Sequence, residues 1–332
     1  MGHLLRTSHV AAVAAQYVPV KVAMLGMEFL GTKLRRRLED SIFVPEEKTL
    51  ITLAKDWGAE CIFFDLLSMG ESTFSALRKN RFAVSLSPVF NLLHKVDVIY
   101  HRSSVYPDGW HEFPDRVTRL CGLKYAVIDR RVCRISTRHY SQTLRAQMLP
   151  VAVSMGGTDA ANKTSLLLRR LKDIPVPMLF WVLLGEGYAH SYQELVEIVS
   201  DSRHEIILAK SNESMWQILR HCALLILAGG VTSYEAARAG LPALNLLEHE
   251  RHAFLLQELA ARGALRYHCG SMEKLAETAL LEICSLDADR QQLLQMHMNA
   301  AKCGLDGSGS ERIIKQTLYH FALRNGNALC QQ

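Results

Sequence analysis

The amino-acid sequence predicts an α/β protein of two doubly wound domains, each a parallel sheet covered by helices. The chain has 332 residues, 49% hydrophobic and 21% charged, an ordinary globular composition whose length suits two domains better than one. From Pro150 onward, short β-rich runs alternate with longer amphipathic segments, the pattern of strands and crossover helices. Two of those runs end in paired glycines followed by a helix-forming stretch, at Gly156-Gly157 and at Gly229-Gly230.

In the second half, strands are expected at residues 151–154, 178–184, 205–208, 224–227 and 243–247, with helices after Asn162, Glu213, Thr232 and Ala253. Gly240 and Gly263 fall where helices end, because a left-handed residue there closes the last turn at no steric cost. The first half is less regular, with strands expected at 20–25, 61–64, 82–86, 96–100 and 125–128. The polar connection 130–150 places the boundary, giving a first domain of 1–148 and a second of 149–332 that includes the terminal helices. At the N-terminus, residues 4–16 read as a helix with no strand ahead of it. A doubly wound domain opens on a central strand, so the first strand of this domain is expected to be missing.

The formal net charge of +5, from 38 Lys and Arg against 33 Asp and Glu spread along the chain, is a mild attraction to anions and argues against nucleic acid as a partner. The one tight basic cluster, Arg35, Arg36 and Arg37, reads as the solvated face of a helix. Eight scattered cysteines without a C-x-x-C pair read as reduced thiols of a cytoplasmic protein. No apolar run approaches the roughly 18 residues of a membrane span, so no membrane insertion is expected.

Chemistry concentrates at the two glycine turns. Gly156, Gly157 and Thr158 follow a strand, where backbone N–H groups can hold a phosphate oxygen. The same residues suit an ordinary strand-to-helix turn capped by Thr158 or Asp159, and a phosphate there requires the Asp159 carboxylate to point elsewhere. Gly229, Gly230, Val231 and Thr232 repeat the arrangement, and in a parallel sheet both turns share the ligand-binding rim. Glu235 is expected in the first turn of the following helix, where its carboxylate can accept from ribose hydroxyls or simply favour the helix dipole. Arg251 suits a phosphate contact, whereas His249 and His252 lack a placed third ligand and no metal is expected.

These residues together resemble the family of UDP-2,4-diacetamido-2,4,6-trideoxy-β-L-altropyranose hydrolases of pseudaminic acid biosynthesis and the related spore coat polysaccharide proteins. The pattern runs through Gly122 to Ala126, Ser154 to Asp159, Asn162, Ala228 to Ala236, Gly240-Leu241-Pro242, Asp306 to Gly309 and Glu311-Arg312. The glycine and glutamate element is also similar to that of the glycosyltransferase making lipid II. The resemblance implies two Rossmann-like domains in the glycosyltransferase-B arrangement, a UDP-sugar substrate in the cleft between them, UDP held mainly by the C-terminal domain, no cofactor, and other nonulosonate pathway enzymes as partners. The family's G-x-G-H-x-x-R is matched in its second half by Gly2-His3-Leu4-Leu5-Arg6, which implies that the first strand and first glycine precede Met1 and that His3 is the base activating water. It also implies a catalytic role for Asp65 and sugar or phosphate contacts from Arg6, Asn162, Arg251 and His252. The chain departs from the family where D-x-Y becomes Asp65-Leu66-Leu67, where paired aspartates give way to Ser87-Pro88, and where Asn-Gln becomes Arg251-His252. A glycosyltransferase and a binding protein without turnover are the rival readings.

Overall fold

A computed structural model describes residues 2–26, 41–106, 113–210 and 215–326; the Arg35 to Arg37 cluster and Glu213 lie outside them. The chain forms two compact units, one of residues 1–127 with 306–332 and the other of 128–305.

In the first unit, β1 (Ala23–Leu25) and β2 (Ile42–Val44) form a parallel pair. A separate four-stranded parallel sheet runs in chain order through β3 (Cys61–Phe64), β4 (Phe82–Ser85), β5 (Val98–His101) and β6 (Thr118–Cys121). Helices α1 (Gly2–Ala14), α2 (Thr49–Asp56) and α3 (Glu71–Arg78) and the terminal helix Gly309–Arg324 cover it. Alternation along the strands sorts the core into two layers. Phe82, Val84, Val98 and Tyr100 pack with Val10 and Val13 of α1 and Ile313 and Ile314 of the terminal helix. Ala83 and Ile99 pack on the opposite face with Ala54, Phe74 and Leu77. The helix read at the N-terminus is present, and the strands described in this unit form two separate parallel sheets.

The terminal helix therefore belongs to the first unit rather than the second. Its first residue must be glycine, because a Cβ on Gly309 would lie 2.2 Å from the Ala126 carbonyl oxygen. Tyr100 Oη–H then donates to the Ile313 carbonyl at 2.9 Å. The segment from Ile128 to Leu149 belongs to the second unit, where Tyr140 donates to the Ala223 carbonyl at 2.6 Å and the Ile135 N–H to that of Ala239 at 2.8 Å. Residues 125–128 are not a strand: a 3₁₀ turn at Leu123–Tyr125 leads into a buried extended segment, whose Tyr125 and Val127 join the core with Ile313 and Ile314. The apolar run reflects that burial, and β6 is the strand beside β5.

The second unit is one six-stranded parallel sheet of β7 (Pro150–Ser154), β8 (Leu179–Leu184), β9 (Glu205–Lys210), β10 (Leu224–Leu227), β11 (Ala243–Leu247) and β12 (Leu265–Cys269). Its helices are α4 (Thr137–Thr143), α5 (Lys163–Leu171), α6 (Tyr192–Ser200), α7 (Met215–Leu219), α8 (Val231–Ala239), α9 (Phe254–Ala261), α10 (Met272–Ala288) and α11 (Arg290–Ala301). The strand order is β12-β11-β10-β7-β8-β9. The first strand in sequence, β7, thus lies beside the fourth, β10, and the winding reverses between them, which is where open α/β sheets bind ligands. Among the described residues no helix is long and apolar enough to cross a membrane.

Candidate functional site

Both glycine turns flank that reversal point. Ser154 and Leu227 are register partners at the ends of β7 and β10, so the turns beginning at Gly156 and Gly229 leave the same rim of the sheet from adjacent strands. Gly156, Gly229 and Gly230 have φ of 101°, 87° and 91°, a region that side-chain-bearing residues rarely enter. The second turn opens directly into α8, whose first turn has no side-chain cap at Gly230. N–H groups of that kind at a helix start are suited to a phosphate. Ser233 donates to Asn245 Oδ1 at 2.6 Å, and Tyr234 donates to the Leu255 carbonyl, which fixes α8 against its neighbours.

The first turn is built differently. Asp159 points away from it and accepts the N–H groups of Lys163 and Thr164 at 2.8 and 2.9 Å, so it caps α5 and occupies donors that a phosphate would need. What remains for an anion is the Gly156, Gly157 and Thr158 backbone. The loop after β8 presses on it: the Gly187 N–H donates to the Gly157 carbonyl at 3.0 Å, and a Cβ on Gly185 would lie 2.3 Å from that same oxygen. Gly185→Ala should therefore displace the first turn and cost about 1–3 kcal/mol, read as a lowered Tm; an unchanged Tm would show that the loop yields freely.

Of the other expected contacts, Asn162 stands in the left-handed region at the start of α5, and its Oδ1 accepts from Tyr188 Oη–H at 3.1 Å. Arg251 and His252 lie in a 3₁₀ turn, Glu250–His252, after β11, with Arg251 exposed and His252 half-buried. Glu235 is half-buried at the fifth position of α8, one turn further in than expected, because the helix already begins at Val231. Sequence reasoning missed Lys163, whose ammonium pairs with Glu248 just beyond β11 and puts a cation on the rim.

In the first unit, the C-terminal end of β3 meets the start of α1. Asp65 follows β3 directly, is 6% exposed, and accepts from three side chains of α1. His3 Nδ1–H donates to Oδ1 at 2.5 Å, Arg6 Nε–H donates to Oδ2 at 2.8 Å, and Thr7 Oγ1–H donates to Oδ2 at 3.2 Å. A second guanidinium nitrogen of Arg6 reaches Oδ1, which makes that contact bidentate. Positions three and four residues apart share one helix face, so His3, Arg6 and Thr7 converge on a single carboxylate. Burial pushes the Asp65 carboxyl up, but the hydrogen bonds from His3 and Arg6 and their charges outweigh it and hold the group below its ordinary value. An ionised carboxylate only accepts, so a neutral ring bonded to it carries its proton on Nδ1 and its lone pair on Nε2, although Arg6 Nη2, itself a donor, also stands 3.1 Å from Nδ1. The ring is 40% exposed and Nε2 has no partner among the described residues, which leaves it able to take a proton. Arg6, expected on sugar or phosphate, is only 8% exposed and is committed to Asp65. Thr7 was not anticipated, although its helical spacing from His3 was visible.

A buried polar group lies at the ends of β4 and β5: Ser85, Ser87, His101 and Ser103. Burial, then the charge of Arg102, pushes His101 down to about 3, so it stays neutral near neutral pH. It is a poor candidate for a base there.

Many solved structures resemble the chain over nearly its whole length, among them the following three. Acinetobacter baumannii MurG is 14% identical with a TM-score of 0.67, covering 96% of each chain. The chain shares this fold. A putative UDP-N-acetylglucosamine 2-epimerase from Listeria monocytogenes is 10% identical with a TM-score of 0.64, covering 99% of this chain and 95% of its own. S. aureus MnaA, solved with UDP, is 12% identical with a TM-score of 0.63, covering 100% and 96%. What is common at such identities is the fold, two Rossmann-like units of glycosyltransferase-B type. No family model matches the chain, and no curated protein matches it.

Proposed function

We propose that this protein hydrolyses a UDP-linked sugar at the anomeric carbon, releasing UDP and the free sugar. The observation that carries the reading is the His3–Asp65 pair, in which a buried carboxylate fixes the imidazole tautomer and leaves Nε2 available. A water oxygen attacks the anomeric carbon and gives its proton to Nε2, while the bond from that carbon to the diphosphate oxygen breaks and its electron pair leaves with UDP. N–H groups of the turns at Gly156-Gly157 and Gly229-Gly230 stabilise charge growing on the diphosphate. Glu235 accepts from ribose hydroxyls, and Arg251, His252 and Asn162 contact phosphate or sugar. The resemblance in motif supports a 2,4-diacetamido-trideoxy sugar bound for nonulosonate synthesis, and the scattered cysteines support a cytoplasmic location. Nucleotide-binding neighbours of the same fold support the UDP half of the reading.

Transfer to an acceptor hydroxyl is the second reading, since the same nucleotide site serves it; the exposed Leu67, standing where the resembled family has tyrosine, favours instead a binding protein without turnover. Incubation with the UDP-sugar, with and without acceptors, separates the two: UDP release by water alone supports hydrolysis, acceptor-dependent release supports transfer, and binding without turnover contradicts both. Glu235→Ala should weaken UDP binding by about tenfold with little change in kcat, since a lost charged hydrogen bond is worth roughly 1.5–3 kcal/mol before water replaces it. An unchanged Kd by calorimetry would remove Glu235 from the nucleotide site.

A further inference from the structure

Lys163 is a cation on the rim of the second unit that the proposed chemistry leaves unused. It is the first residue of α5, past the first glycine turn, and its ammonium pairs with Glu248, the residue after β11. The lysine side chain is 17% exposed against 34% for its partner, whereas Arg251 in the same loop as Glu248 stands in solvent. β10 lies between β7 and β11 in the sheet, so the pair links the segments after those two strands across the end of the strand between them. That end is where Gly229-Gly230 opens into α8. Glu248 is held close to it, since a Cβ on Gly229 would lie 2.7 Å from Cδ2 of the adjoining Leu247.

The pair therefore sets a carboxylate beside N–H groups that suit an anion. A diphosphate seated in the turn meets Glu248 as a like charge and Lys163 as an opposite one. As a brace the pair is a weak device, because ion pairs open to solvent stabilise a fold little. An ammonium carries three donors on a flexible stem and can pass from one acceptor to another. We propose that Lys163 binds the diphosphate of the nucleotide, and that Glu248 holds its ammonium at the rim until the nucleotide arrives. The inference rests on the nucleotide half of the proposed function and not on the hydrolytic step. It gives the two members of one ion pair opposite effects: the lysine adds to affinity for a diphosphate, and the glutamate, a competing anion, subtracts from it. A nucleoside without phosphate lacks the group that Lys163 meets and is indifferent to both.

Calorimetric titration of the full chain, Lys163→Met and Glu248→Gln with UDP and with uridine tests this. Lys163→Met should weaken UDP binding by about tenfold or more, as for a lost hydrogen bond between charged groups, and leave uridine binding unchanged. Glu248→Gln should tighten UDP binding by about two- to fivefold, the amount by which an exposed ion pair holds its members, again without effect on uridine. Weaker UDP binding in both variants would make the pair a brace for the turn and overturn the inference. A loss in Lys163→Met shared equally by UDP and uridine overturns it too, because the lysine would then meet no phosphate. If Lys163→Met does not fold, Glu248→Gln decides alone: tighter UDP binding supports the inference, and weaker or unchanged binding contradicts it. A parent chain that binds neither ligand would fail the nucleotide reading and the inference with it, whereas UDP bound equally by the parent and both variants would fail the inference alone.

Discussion

His3→Gln is expected to lower turnover of the UDP-sugar by about 10²-fold or more while leaving UDP affinity within about twofold. Glutamine keeps a donor of similar reach for Asp65, so the buried carboxylate retains a partner, but it offers no basic nitrogen where Nε2 stood. The loss should therefore appear in kcat rather than in KM. The Asp65 carboxyl stays charged below the ordinary carboxylate range, because the hydrogen bonds and charges of His3 and Arg6 outweigh the effect of its burial. Turnover undiminished in His3→Gln would mean that His3 is not the base, whatever the nucleotide site does.

Asp65→Asn is expected to act on both turnover and stability. An asparagine can turn its amide toward Nδ1 and so favour the tautomer with the proton on Nε2, which removes the base; changes of this kind cost about 10²–10⁴-fold in kcat. The same substitution strands the buried Arg6 guanidinium, and breaking a buried pair costs about 3–5 kcal/mol. The sign of the pH effect follows from the depressed folded pKa. Asp65 contributes stability above the ordinary carboxylate range and loses it as the pH falls through its lowered value. Adding Arg6→Leu to Asp65→Asn separates the roles. The double variant should regain much of the lost Tm without regaining turnover, and recovery of both together would reduce Asp65 to a structural partner of Arg6.

Among the parts of the fold that could be read in advance were strands buried on both faces. Leu224–Leu227 and Ala243–Leu247 are wholly buried runs, and their expected limits agree with the structure. Leu265–Cys269 was not read as a strand because Arg266 and His268 break its apolar pattern; both pair with Glu282 on the following helix α10. The terminal helix was assigned to the wrong unit for a related reason, since its contacts with Tyr100 and Ala126 come from a chain segment some 200 residues earlier. At the site, His3 and Asp65 were reached through the motif resemblance, and their hydrogen bond adds geometry to it. The commitment of Arg6 to Asp65 and the capping of α5 by Asp159 depend on where side chains turn, which spacing alone leaves open. Gly185 carried no signal, because its tight contact is with a turn on the neighbouring strand.

Hydrolysis of the UDP-sugar in water enriched in ¹⁸O, with the released sugar trapped at once by reduction, tests the proposed reaction most directly. Attack of water on the anomeric carbon places the label on C1 of the sugar and leaves UDP unlabelled. Label in the β-phosphate of UDP would mean that phosphorus is attacked instead, and release of UDP only when an acceptor hydroxyl is supplied, with no label in either product, would make the protein a transferase.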